Sequence, residues 1–335
     1  MGPLISDEPQ ELFPLLRPIR ARGPSSSGRF SVTQLVNYRR CPRQYFFDRI
    51  LRAPDSDEVS VWSDSEVPEP PANLTATLRG SVIHRFCERY DSSLDVETLL
   101  GDCFDEVMIR RRRELAERLA EIDREKALHE LRRLADNYIS SKARARVDSL
   151  RQSFAANWLG PNSSEQLHGT GVYSERKFRL RLPYGVLFGT IDKLLVSRDS
   201  GDGALEVEIL DFKTNRFRAS GEELKRQIEQ AASEYTLQIQ AYCLAVRKLM
   251  PGPLRTSATL HFLDPNVEFR LNESILETGT CEAAINEAMQ GVSLSSRAED
   301  FQARPEKHCR SCNFLGTCRE GREWLRSSSA LSGEG

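Results

Sequence analysis

The chain has no apolar run near the roughly 18 residues that a membrane span requires, and Met1 to Pro24 lacks the apolar core of a secretion signal. It has almost no net charge: 47 Lys and Arg stand against 49 Asp and Glu, a formal −2, which excludes a uniformly basic nucleic-acid coat protein. No G-x-x-x-x-G-K-[ST] loop occurs, so nucleotide hydrolysis by the P-loop route is not expected, and no internal repeat is found. These absences lead to the expectation of a soluble, cytoplasmic protein with no membrane partner, nucleoid-associated if the source is bacterial. What is present is 335 residues, 39% of them hydrophobic, enough for one elaborated domain or two modest ones. In a reducing compartment the eight cysteines are better read as metal ligands or packed side chains than as a disulfide framework.

Composition divides the chain into an ordered domain over 30–325 and loose ends at 1–29 and 326–335. Ser25-Ser26-Ser27-Gly28 and the nearby prolines bury little, so order is expected near Phe30. Two short helices either side of Pro42 fit the apolar spacing of residues 31–51, where Arg39, Arg40 and Arg43 form a basic patch suited to nucleic-acid phosphates. Residues 53–78 hold six acids and no Lys or Arg, an acidic exposed loop. A helix is expected after Gly80, and a helical insertion over 91–168. Within the insertion, a long helical region over 110–151 places Leu115, Leu119, Ile122, Leu128, Leu131 and Tyr138 at helical spacing. That region has 13 basic and 8 acidic residues, a local +5 that is either a solvated helix surface or a second basic patch.

From Gly171 the pattern changes to alternation. Strands are expected over 172–182, 186–196 and 204–211, then a helix over 222–250 stopped by Pro251-Gly252-Pro253, strands over 257–263 and 267–271, and a helix near 281–289. The fold class is α/β: a central mixed sheet with an antiparallel meander, flanked by helices.

Side chains alternate along a strand, which puts Val186, Phe188, Thr190, Asp192, Leu194 and Val196 on one face, and Leu205, Val207, Ile209 and Asp211 on another. Lys213 joins Asp211 if the strand reaches that far. A carboxylate in an apolar setting is costly unless a cation compensates it. Two of them converging with a lysine point to a site for Mg²⁺ or Mn²⁺ that polarises a phosphodiester, the lysine orienting a water or stabilising charge on the phosphate. A buried Asp-Lys ion pair of structural purpose is the alternative. Glu175 reads as a surface glutamate, His84 as a residue beside an apolar helical stripe, and Gln238 and Tyr242 as a pair on one helix face.

Cys309, Cys312 and Cys318 form C-x2-C-x5-C, a metal-binding spacing that lacks one ligand. Cys41, in Cys-Pro between arginines, is the best candidate for the fourth, and the segment 305–320 then clamps the end of the domain to its beginning. Spacing admits either zinc or an iron-sulfur cluster. Cys87, Cys103, Cys243 and Cys281 are assigned to packing.

Six stretches in order, Ser31 to Pro42, Arg79 to His84, Gly189 to Asp192, Ile209 to Thr214, Gln238 with Tyr242, and the terminal cysteines, resemble the RecB-like branch of the PD-(D/E)XK nucleases, in particular its iron-sulfur members. That group includes AddB-type helicase-nuclease subunits, exonuclease V, CRISPR-associated RecB-like exonucleases and the nuclease end of UvrD-like helicase-nucleases. The resemblance implies a restriction-endonuclease-like core and a deoxyribonuclease acting on single-stranded DNA or DNA ends in repair or recombination. It further implies His84, Asp192, Asp211 and the Phe212 carbonyl as metal ligands, Lys213 as catalytic lysine, Gln238 and Tyr242 as the Q-x3-Y motif, and Glu175 as a weaker match. Cys41, Cys309, Cys312 and Cys318 would hold a 4Fe-4S cluster, and a separate helicase is a candidate partner because no helicase segment is seen. A non-catalytic DNA-binding subunit of a helicase-nuclease is the alternative.

Overall fold

The computed structural model describes residues 28–53, 73–112, 122–153, 170–199, 201–250, 252 and 254–332. The described residues begin at Gly28, where strand β1 (Gly28–Ser31) runs into helix α1 (Val32–Arg40). Ser31 starts the helix with a reciprocal capping box: Gln34 N donates to its hydroxyl at 3.1 Å and Ser31 N donates to Gln34 Oε1 at 2.9 Å. Cys41 ends α1 in extended backbone, as the residue before a proline prefers. Helix α2 (Pro42–Tyr45) follows and widens into a π-helical turn at Phe46–Leu51.

Four helices come next: α3 (Ala76–Arg89), α4 (Val96–Arg111), α5 (Arg124–Ile139) and α6 (Lys142–Ser153). Helix α3 starts before Gly80 rather than after it, because Thr75 accepts from Leu78 N at 3.3 Å and so supplies the N-cap. The long helical stretch expected over 110–151 is divided, because the Ser141 hydroxyl accepts from Arg144 N at 3.0 Å and restarts the chain as α6. Leu115 and Leu119 lie outside the described residues, as do most of the acidic stretch and the end of the insertion. Helix α9 (Arg319–Ser332) continues into the tail that the sequence led us to expect loose.

The sheet is built on β3 (Gly185–Arg198), antiparallel to β2 (Gly171–Leu182) along one edge. Its other edge is shared: β1 pairs in parallel with Gly185 to Phe188, and β4 (Leu205–Lys213) pairs antiparallel with Lys193 to Arg198. Helix α7 (Gly221–Leu249) crosses over to β5 (Leu254–Phe262), which lies parallel to β4 and antiparallel to β6 (Val267–Arg270). Helix α8 (Thr278–Leu294) completes the layer. Residues of α1, α7 and α8 share one core with Leu187, Ile191, Leu194, Val207 and Ile209. Residues of α3 to α6 share the other with Val172, Leu195, Leu210 and Phe212. The mixed sheet between helical layers is the α/β architecture that the sequence implied.

Two expectations change. Among the described residues of the +5 stretch, several arginines are not open basic surface but meet acids from elsewhere: Arg124 with Asp105, Arg132 with Glu97, Arg133 with Asp264, and Arg151 with Asp91. Arg146 bonds Glu208 on β4 and Glu268 on β6, which fastens α6 across the sheet. Nor does β3 keep one buried face from Val186 to Val196. Leu187 and Ile191 are buried on the α7 side in its first half, Leu194 and Val196 in its second. Strand β2 switches in step, Phe178 and Leu180 facing α7 but Val172 facing the other core. The switch falls at Glu175, which has φ of +49° within β2, a left-handed conformation that resets the alternation without inserting a residue.

Candidate active site

The sheet leaves an opening where the β3 edge passes from β1 to β4. Gly189 to Asp192 pair with neither strand on that edge. The start of α1 presses against this stretch, and a Cβ on Gly189 would lie 2.9 Å from Val32 Cγ2 and 2.9 Å from the Phe178 ring. One step beyond the last β3–β4 pair, Lys193 with Leu210, the register sets Asp192 across from Asp211. The strands have parted there, and the Phe212 N–H donates to Asp192 Oδ2 at 3.0 Å.

Around this opening the structure gathers side chains from five elements. His84 on α3 lies with Nδ1 3.2 Å from Asp192 Oδ2. His84, Glu175 and Asp192 bring ligand atoms within 4.8 Å of one another, so Glu175 is no isolated surface residue. Asp211, fully buried, sits with Oδ2 2.5 Å from Lys213 Nζ. Strand β4 does extend to Lys213, and both residues face α7. From α7, Gln238 accepts from Lys213 Nζ at 3.0 Å and donates to Asp211 Oδ1 at 3.2 Å and to the Tyr242 hydroxyl at 2.8 Å.

The electrostatics follow from burial opposed by pairing. Burial works against a charged His84, but Asp192 and Asp211 outweigh it and hold its pKa up at about 9. Burial pushes Glu175 up to about 7, with Asp192 adding to the effect. Asp211 is pushed up to about 6, chiefly by burial and against the pull of Lys213. Burial acts on Asp192 in the same direction, yet His84, Lys213 and the Phe212 N–H together hold it below the usual carboxylate range. One carboxylate is thus kept ionised and its neighbour poised.

Asp192, Glu175, His84 and Lys213 open into a cleft of about 1310 Å³ whose rim carries Arg111, Arg176 and Lys177, together with Arg85 and Arg110 paired to Glu88 and Glu106. Thr33 on α1 also walls a second groove of about 1100 Å³, which takes in Gln238, Arg39, Arg40, Arg304, Lys307 and Trp324. Arg43 faces elsewhere, beside the cysteines and 3.7 Å from Glu320.

Cys41, Cys309, Cys312 and Cys318 line one cavity with Phe47, Phe314 and Gly321, and none is in a disulfide. Gly321 N donates to Cys318 Sγ at 3.4 Å, and a Cβ on Gly321 would sit 3.7 Å from Cys309 Sγ. Burial raises the thiols of Cys309, Cys312 and Cys318. Cys87, Cys103, Cys243 and Cys281 are packed into the two main cores.

The sequence profile of the PD-(D/E)XK nuclease superfamily matches residues 29–319. The chain belongs to that superfamily. The PD-(D/E)XK core, restriction-endonuclease-like, therefore spans the sheet and both helical layers, and its members use divalent metal ions. Among solved structures, the protein designated SSO0001 is 12% identical over 88% of this chain and 86% of that one, with a TM-score of 0.32. A protein from Eubacterium rectale provisionally named an exonuclease is 10% identical over 80% and 84%, with a TM-score of 0.37. No protein with a curated description matches.

The residues of this PD-(D/E)XK chain fit a divalent ion on a structural ground. His84, Glu175 and Asp192 offer one ring nitrogen and two carboxylate oxygens within 4.8 Å of one another, a donor set of the kind that holds Mg²⁺ or Mn²⁺. Sequence reasoning missed Tyr235, whose ring lies 4.1 Å from Lys213 Nζ. Its place three residues before Gln238, on the same helix face, was the available signal. It also missed Arg79, which donates to the Thr214 carbonyl at 2.8 Å and so ties α3 to the end of β4.

Proposed function

We propose that this chain is a metal-dependent deoxyribonuclease of the RecB-like branch, hydrolysing phosphodiester bonds as an exonuclease on single-stranded DNA or DNA ends during repair or recombination. The observation that carries the reading is the meeting of His84, Glu175, Asp192 and Lys213 in one cleft, with Asp211 buried beneath against Lys213. His84, Asp192, Asp211 and the Phe212 carbonyl are the ligands in this reading, with Glu175 at their edge. A bound Mg²⁺ or Mn²⁺ supplies charge stabilisation at the phosphate and a water acidic enough to attack it at neutral pH. Lys213 orients that water or meets charge building on the phosphate oxygens. Gln238 and Tyr242 hold Lys213 and Asp211 in place.

The groove beyond Thr33 supports a single strand as the substrate, since it joins cations with the half-buried indole of Trp324, on which an unpaired base can stack. Arg39 and Arg40 belong to that groove. The four thiols that line one cavity, none of them in a disulfide, would hold a 4Fe-4S cluster in this reading.

The test is cleavage of end-labelled single-stranded DNA with Mn²⁺ or Mg²⁺ by wild type and by Asp211→Ala. Wild type is expected to release short products and the variant none; equal behaviour refutes the reading. Tight DNA binding without cleavage under either metal would assign the chain to a scaffolding role beside a helicase.

A further inference from the structure

Lys193 follows Asp192 on β3 and points into the core beneath α3 and α6, where it is fully buried. Among the described residues no carboxylate lies within ion-pair distance of its ammonium. Its direct partner is the Ser174 hydroxyl, 2.8 Å from Nζ. Arg144 and Arg151 add like charge around it. Lysine buried on those terms costs stability that an apolar residue of similar length would not, so its presence calls for another account.

The register supplies one. Ser174 and Lys193 are cross-strand partners in the β2–β3 ladder, and the next step along both strands is Glu175 and Asp192. Glu175 is there in its left-handed conformation, at the point where both strands exchange their buried faces. The Lys193–Ser174 bond closes immediately beside the turn that brings Glu175 and Asp192 together with His84. We propose that Lys193 is a positioning residue: its bond to Ser174 clips β2 to β3 behind the metal site and fixes Glu175 and Asp192 at ligand spacing. This rests on the nuclease reading above and deepens it. Partners of this kind, one shell behind the ligands, govern metal affinity more than fold.

The test is Mn²⁺ binding to the purified full chain, read by calorimetry or by the electron paramagnetic resonance signal of free Mn²⁺, for wild type, Lys193→Met, Ser174→Ala and the double variant. Each single variant is expected to weaken Mn²⁺ binding by about tenfold, and the double variant no further, because both remove the same bond. Denaturant midpoints of the metal-free proteins are expected to be lower for Ser174→Ala, which strips a buried ammonium of its partner, and equal or higher for Lys193→Met, the reverse of what a purely structural lysine would give. Asp192→Asn, expected to abolish binding, identifies the site. If both single variants bind Mn²⁺ as wild type does, or if their losses add, the clip is refuted while the nuclease reading stands. Wild-type protein that takes up no Mn²⁺ overturns both.

Discussion

Gln238 is the hinge of the polar network, and replacing it with leucine separates the roles of its three bonds. The amide links Lys213, Asp211 and Tyr242, two of them charged. A hydrogen bond to a charged group contributes about 1.5–3 kcal/mol, so the two charged links together are worth about 3–6 kcal/mol if nothing relaxes. Lys213 keeps the Asp211 carboxylate at 2.5 Å and the Tyr235 ring at 4.1 Å, so the lower end applies. About 3 kcal/mol of lost positioning corresponds to roughly a hundredfold in rate. Tyr242→Phe removes one neutral acceptor, worth about 1 kcal/mol or roughly fivefold. Single-turnover cleavage of labelled single-stranded DNA at saturating Mn²⁺ measures both, with urea unfolding curves to confirm that each variant is folded. If folded Gln238→Leu cleaves within threefold of wild type, or Tyr242→Phe loses as much as Gln238→Leu, the amide does not hold the lysine and the argument fails.

Two further outcomes are expected. Protein purified without oxygen should carry iron and broad absorbance near about 400 nm that Cys41→Ser loses and Cys103→Ala keeps; stoichiometric zinc without iron would refute the cluster. Arg40→Gln and Lys307→Gln should each flatten the salt dependence of single-strand binding by about 0.7 in log–log slope, and Trp324→Ala should weaken binding by about 1–3 kcal/mol at any salt. Binding equally insensitive to salt in all of these proteins would remove the groove from the substrate path.

The sequence made much of this legible where one simple rule operated. Alternation set Asp211 on the face of Leu205, Val207 and Ile209, and β4 keeps that phase through Lys213. The same rule failed across β3, because hydropathy does not register one residue in left-handed backbone, and Glu175 carries no glycine or asparagine to mark the switch. The helical period ran on past Ser140-Ser141 for a similar reason: a serine that caps a new helix looks like any surface serine until its bond to Arg144 N is seen. Local charge also misled. The excess over 110–151 is balanced by Asp91, Glu97, Asp105, Asp264 and Glu268, acids distant in sequence that no window of that stretch contains. The meeting of His84, Glu175 and Asp192 depends on a change of partner along a strand edge, which only the assembled sheet reveals.

The helices between α3 and β2 bear on any attempt to trim this chain to a smaller nuclease. Phe212, whose N–H bonds Asp192, turns its ring away from the cleft and packs edge-on against Tyr138 of α5 at 5.2 Å between ring centres. Arg146 of α6 holds Glu208 and Glu268 on the same side of the sheet. Excising these helices would wet the back of the strand that carries Asp211 and leave two acids without their cation. The insertion is a foundation shared with the cleft, and shortening has to begin elsewhere.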